Sequence, residues 1–85
     1  MRVLFRKDFI KSYRKLPAIQ KQVDTRIALF VRNPFEPILR NHPLQGKFKQ
    51  YRSINITGDY RAVYQLLNAD TAVFIALGTH SQLYK

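Results

Sequence analysis

The chain has no cysteine, which excludes disulfides, thiolate nucleophiles and sulfur-ligated zinc and suits a cytosolic protein. Acidic residues are scarce. Five Asp and Glu stand against fifteen Lys and Arg, a formal charge of +10 at neutral pH. No apolar run approaches the length of a membrane span. The N-terminal Met-Arg-Val-Leu-Phe-Arg-Lys-Asp brings in charge too soon for a secretory apolar core. Internal repeats, low-complexity tracts and interdomain linkers are also missing. What remains is one domain over residues 1–85, expected to be soluble and cytoplasmic. A chain of this size buries only roughly 60–65% of the surface its unfolded form exposes, so the core is modest.

The excess of positive charge points to a polyanionic or acidic partner. Nucleic acid is the leading candidate, because basic domains gain affinity by releasing phosphate counterions. A solubilising charge shell is the plainer alternative.

Hydrophobic periodicity gives the architecture. Val3-Leu4-Phe5 reads as a short edge strand, and Asp8 is placed to cap a helix in which Phe9, Ile10, Tyr13 and Leu16 recur at helical spacing. Pro17 opens a second helix with an apolar stripe of Ile19, Val23, Ile27, Phe30 and Val31, ended by Asn33-Pro34. Residues 34–49 carry Pro34, Pro37, Pro43 and Gly46 and read as a loop holding His42. Three strands follow. Residues 51–56 alternate with Arg52, Ile54 and Ile56 on one face and Tyr51, Ser53 and Asn55 on the other. Thr57-Gly58-Asp59 supplies a turn, and residues 60–67 return as its partner strand. After Asn68-Ala-Asp70, residues 72–77 form a third strand, with Val73, Ile75 and Leu77 expected on the helices and Ala72, Phe74 and Ala76 on the opposite face. The expected fold is α+β: an N-terminal strand, a two-helix hairpin, then three antiparallel strands in a curved sheet with both helices on one face.

The chemistry-bearing residues gather between Asn41 and Lys85, which includes both histidines of the chain. Cleaving RNA without a metal requires the ribose 2′-hydroxyl to be deprotonated, the departing 5′-oxygen to be protonated, and the extra charge on phosphorus to be stabilised. Imidazoles titrate near ~6.5 and serve either proton step. His80, presented after Gly78-Thr79 at a strand end, is the first candidate. His42, before a proline, fits a structural as well as a catalytic role. Asp59 in its turn fits conformational duty as well as proton transfer. Arg61, two residues on, is suited to hold a phosphate with its planar fork, or else to form a surface ion pair with Asp59. Lys47, Lys49 and Arg52 are candidate phosphate contacts, and Tyr84 a base-stacking aromatic or a packed tail residue.

Four motifs, His42-x-Leu44-x-Gly46, Tyr51-Arg52-Ser53, Gly58-Asp59-Tyr60-Arg61-x-x-Tyr64 and Gly78-Thr-His80-Ser-x-Leu83-Tyr84, in this order and spacing resemble the RelE/ParE superfamily of bacterial type II toxins. Within it they resemble the YafQ-like branch of messenger-RNA-cleaving endoribonucleases. The resemblance covers nearly the whole chain. It implies a RelE-like fold, cleavage of messenger RNA on the ribosome without a cofactor or metal, a 2′,3′-cyclic phosphate product, and silencing by a cognate antitoxin. It also implies catalytic roles for His80, His42 and Asp59, beside which Arg61 is the candidate for stabilising charge on its chemistry alone. Two positions depart from the pattern. Asn55 stands where the branch usually has a strand histidine, and Ala76 where many relatives carry an arginine. Losing such a donor typically costs about 10²–10³ in rate, unless Arg61 or Arg52 compensates. The rival readings are a ParE-like gyrase inhibitor and a basic RNA-binding module without catalysis.

Overall fold

Val3-Leu4-Phe5 does form an edge strand. In the computed structural model, which describes residues 1–83 apart from the side chain of Lys47, strand β1 (Arg2–Phe5) runs parallel to the last strand, with Leu4 opposite Val73. Helix α1 (Lys7–Arg14) follows. Asp8 is not its cap: the N-cap is Arg6, with no side-chain capping bond, and Asp8 lies in the first turn, where its charge favours the positive end of the helix. Pro17 starts a 3-10 turn, Pro17–Ile19, that leads into α2 (Gln20–Arg32). Proline suits that place because a first-turn N–H has no helical partner to lose. The two helices are pinned by the Tyr13 hydroxyl, which donates to Asp24 Oδ1 at 2.7 Å.

The stretch predicted as loop holds more order than its prolines suggest. A second 3-10 turn, Pro37–Leu39, buries Leu39 completely, and a third spans Gly46–Phe48. Between them lies β2 (His42–Pro43), so His42 sits on a strand and not in irregular chain. Pro43 is tolerated because β2 is an outermost strand. The remaining strands are β3 (Arg52–Asn55), β4 (Tyr60–Asn68) and β5 (Thr71–Thr79). They make a five-stranded sheet in the order β1-β5-β4-β3-β2, antiparallel except for β1 on β5. A short helix, α3 (His80–Leu83), closes the described chain and has no counterpart in the periodicity of the sequence.

Both helices cover one face of the sheet, as expected. Phe9 of α1 and Val23 and Phe30 of α2 pack with Ile54, Ala62, Tyr64, Ala72, Phe74 and Leu77. Phe74 is the hub, with ring centroids of Phe9, Phe30 and Tyr64 at 5.7, 5.2 and 5.3 Å. The assignment for β3 holds: Ile54 and Ile56 are in this core. For β5 it is corrected. Tyr64 pairs with Phe74 but Val63 with Ala76, so Ile75 is an extra residue in a bulge. A bulge reverses the alternation beyond it. Ala72 and Phe74 therefore face the helices, where Val73 and Ile75 were expected, while Leu77 and Ala76 keep their expected sides.

Candidate active site

The face of the sheet away from the helices carries two rows of side chains. One runs through His42, Ser53, Val63 and Ala76, and the next through Asn55, Arg61 and Gly78. Over them lies a cavity of about 540 Å³, lined by Arg40, His42, Leu44, Gln45 and Phe48 from residues 40–48, by Asn55 and Arg61 from the sheet, and by His80. A groove of similar size, about 520 Å³, lies between α1 and α2, but Phe5, Phe9, Ile10, Val23 and Ile27 make it largely apolar. Proton chemistry belongs to the first.

His42 is exposed, and its Nδ1 lies 2.7 Å from the carbonyl oxygen of Arg40. A carbonyl only accepts, so Nδ1 carries the hydrogen, and in the neutral ring Nε2 is left with its lone pair. Among the described residues nothing engages that nitrogen. Arg40 reaches this position by a left-handed backbone, φ 47° and ψ 46°, the one positive φ among described residues other than glycine.

His80 is placed by a capping box. The Thr79 hydroxyl accepts from the Gln82 N–H at 3.2 Å, and the Thr79 N–H donates to Gln82 Oε1 at 2.9 Å. A Cβ at position 78 would stand 2.9 Å from that same Oε1, so glycine keeps the box closed. The backbone N–H of His80 donates to the Asp59 carbonyl at 3.2 Å, tying α3 to the turn between β3 and β4.

Arg61 curls over that turn. Its Nη1 lies 3.0–3.2 Å from the carbonyls of Thr57, Gly58 and Tyr60, and among the described residues Nη2 and Nε have no partner. Asp59 lies in the turn before β4, as expected, and its exposed side chain does not line the cavity. No Asp59–Arg61 ion pair forms among the described residues, because the guanidinium goes to backbone carbonyls.

The structure thus brings His42, Arg61 and His80 together and leaves the Asp59 carboxylate and Arg52 outside. Arg52 lies opposite Tyr64, on the helix side, where its Nε donates to Asn41 Oδ1 at 2.8 Å and its guanidinium sits 5.4 Å from the Phe35 ring centroid. Lys49 is exposed after the third 3-10 turn and does not line the cavity. The side chain of Lys47 and the whole of Tyr84 lie outside the described residues. Sequence reasoning missed Arg40 as a lining residue, although a cation two positions before a candidate histidine is a usable signal. Asn55, noted as a departure, also lines the cavity.

Comparison with known proteins agrees with this fold. A family model described as the bacterial toxin of type II toxin–antitoxin systems, YafQ, matches residues 1–85. YafQ from E. coli strain BL21(DE3) shares 22% identity over 100% of both chains with a TM-score of 0.84. The E. coli DinJ–YafQ complex gives 22% identity, 100% coverage of both chains and 0.82. A YoeB/ParE toxin from Agrobacterium tumefaciens gives 21% identity over 94% of this chain and 99% of that one, with 0.79. No curated protein sequence matches. The fold is that of the RelE/ParE-like toxins. The chain belongs to the YafQ family of bacterial toxins of type II toxin–antitoxin systems. Among the described residues no helix is long and apolar enough to cross a membrane.

Proposed function

We propose that this toxin is a metal-independent endoribonuclease that cleaves messenger RNA on the ribosome and is held silent by a cognate antitoxin. One observation carries the reading: His42 and His80, from separate elements, line one polar cavity together with Arg40 and Arg61. Two histidines suffice for both proton transfers of phosphodiester cleavage.

Nε2 of His42 takes the proton of the ribose 2′-hydroxyl as that oxygen attacks phosphorus. The bond from phosphorus to the 5′-oxygen breaks, and protonated His80 gives its proton to the leaving oxygen. The products are a 2′,3′-cyclic phosphate and a 5′-hydroxyl, and the two histidines exchange protonation states. Arg61, through Nη2 and Nε, and Arg40 stabilise the charge that gathers on the phosphoryl oxygens. Asp59 assists by holding the His80 segment through its backbone carbonyl. Lys47, Lys49 and Tyr84 extend the contact to RNA phosphates and a base. A chain of charge +10 suits the ribosome as a working surface and an acidic antitoxin as a partner.

The test is cleavage of messenger RNA on translating ribosomes beside a DNA gyrase supercoiling assay. Cleavage that stops when the co-encoded antitoxin is added supports the reading. Gyrase inhibition without cleavage would replace it with the ParE-like one, and RNA binding without cleavage with a non-catalytic module.

A further inference from the structure

Residues 34–42 hold the proposed proton acceptor through a chain of polar contacts that the reaction itself does not need. Asn41 uses its whole carboxamide inward. Nδ2 donates to the Tyr64 hydroxyl at 2.6 Å and to the Pro34 carbonyl at 2.9 Å, and Oδ1 accepts from Arg52 Nε at 2.8 Å. Since Arg Nε–H only donates, the atom facing it must be the oxygen. Tyr64 is 1% exposed and packs edge-on against Phe30, with ring centroids 4.8 Å apart, so the network ends in the rigid core. On the other side of Asn41, Arg40 stands in the left-handed conformation. That region is disfavoured for side chains other than glycine, asparagine and aspartate and persists where surroundings over-determine it. Leu39, fully buried, and Asn41 clamp it from both sides.

We infer that Arg40 and Asn41 are positioning residues that set the tautomer of His42. The left-handed backbone aims the Arg40 carbonyl at Nδ1, and the Asn41 anchor fixes the strand that carries the ring. Free imidazole favours the Nε2–H form, in which the nitrogen facing the cavity would hold a hydrogen and could not take one. The clamp reverses that preference before substrate arrives. The inference rests on the proposed nuclease reading for its purpose, but the tautomer itself is measurable without any cleavage.

The experiment is long-range ¹⁵N–¹H correlation of the histidine rings in the purified toxin, at a pH where they are neutral. His42 is expected as the Nδ1–H tautomer. An Nε2–H ring in the unaltered protein overturns the inference whether or not the protein cleaves RNA. Arg40→Gly and Arg40→Val both delete the cation, but only valine resists positive φ. Glycine is expected to keep the Nδ1–H form and valine to lose it, with kcat about 10–100-fold below that of the glycine variant and KM little changed. Asn41→Ala, with folding checked by its amide spectrum, is expected to give a mixture of tautomers. An unchanged tautomer in both Arg40→Val and Asn41→Ala would contradict the clamp.

Discussion

Thr79 and Gln82 cap α3 reciprocally, each backbone N–H meeting the other's side-chain oxygen, and His80 is the first residue inside that cap. Breaking it should loosen the histidine more than the fold. Gln82→Ala removes one arm of the box, a hydrogen bond worth about 0.5–1.5 kcal/mol net. Gly78→Ala drives a methyl to within 2.9 Å of Gln82 Oε1, the movable end of a side chain, and displaces the same arm. Both variants are expected to stay folded with a melting temperature lowered by several degrees, and to cleave RNA more slowly at saturating substrate. Unchanged cleavage in both would mean that the cap does not position His80.

His80→Ala is expected to abolish cleavage in a folded protein, since the ring is exposed and fills no core space. Asp59→Asn keeps the backbone carbonyl that accepts from the His80 N–H, so it should cost less than about tenfold. Single-turnover rates of the two variants decide this. A loss with Asp59→Asn as deep as with His80→Ala would give the carboxylate a proton-transfer role.

Arg52 and Lys49 should separate. Arg52→Ala leaves Asn41 Oδ1 without its donor and uncovers the Phe35 ring, a cost of about 1–3 kcal/mol in unfolding free energy. Lys49→Ala should leave stability unchanged and lower the salt slope of RNA binding by about one unit. Denaturant unfolding and binding titrations at several salt concentrations measure both. A normal stability for Arg52→Ala would undo its assignment to the Asn41 network.

Ala76 sits in the row of His42, Ser53 and Val63, one row from Arg61, on the face that carries the cavity. Ala76→Arg is therefore expected to raise single-turnover cleavage by as much as about 10–100-fold, the scale of one electrostatic donor in imperfect placement. An unchanged rate in a stable protein would show that Arg40 and Arg61 already fill that role.

The hydrogen bond from Tyr13 to the Asp24 carboxylate, reinforced by burial and the negative charge, raises the phenol above its ordinary pKa of 10.0. A raised folded-state pKa means that the stabilisation is full below pH 10 and is lost as pH climbs through the higher folded value. In an ultraviolet titration Asp24→Asn should bring the ionisation of Tyr13 back down towards its ordinary value.

How much of this was legible in the sequence follows from where a two-residue period holds. In β3 the alternation runs unbroken, and Arg52, Ile54 and Ile56 share one face as read; that face meets the helices, which takes Arg52 away from the cavity it was expected to flank. In β5 the bulge at Ile75 carries no glycine or proline to announce it, so the period placed Phe74, the hub of the core, on the wrong face. Glycine, threonine and glutamine at 78, 79 and 82 spell a capping box, but four helical residues are too few for a periodic signal, and α3 was missed. His42 and His80 were legible as chemistry. The partners that aim them were not, because the Arg40 carbonyl and the Asn41 carboxamide act through backbone geometry and contacts over 23 residues to Tyr64.

The most direct measurement is end-group analysis of RNA cut by the purified toxin on programmed ribosomes. The account predicts a 2′,3′-cyclic phosphate on the upstream fragment and a 5′-hydroxyl on the downstream one, both absent with His80→Ala. A 3′-hydroxyl with a 5′-phosphate would contradict it.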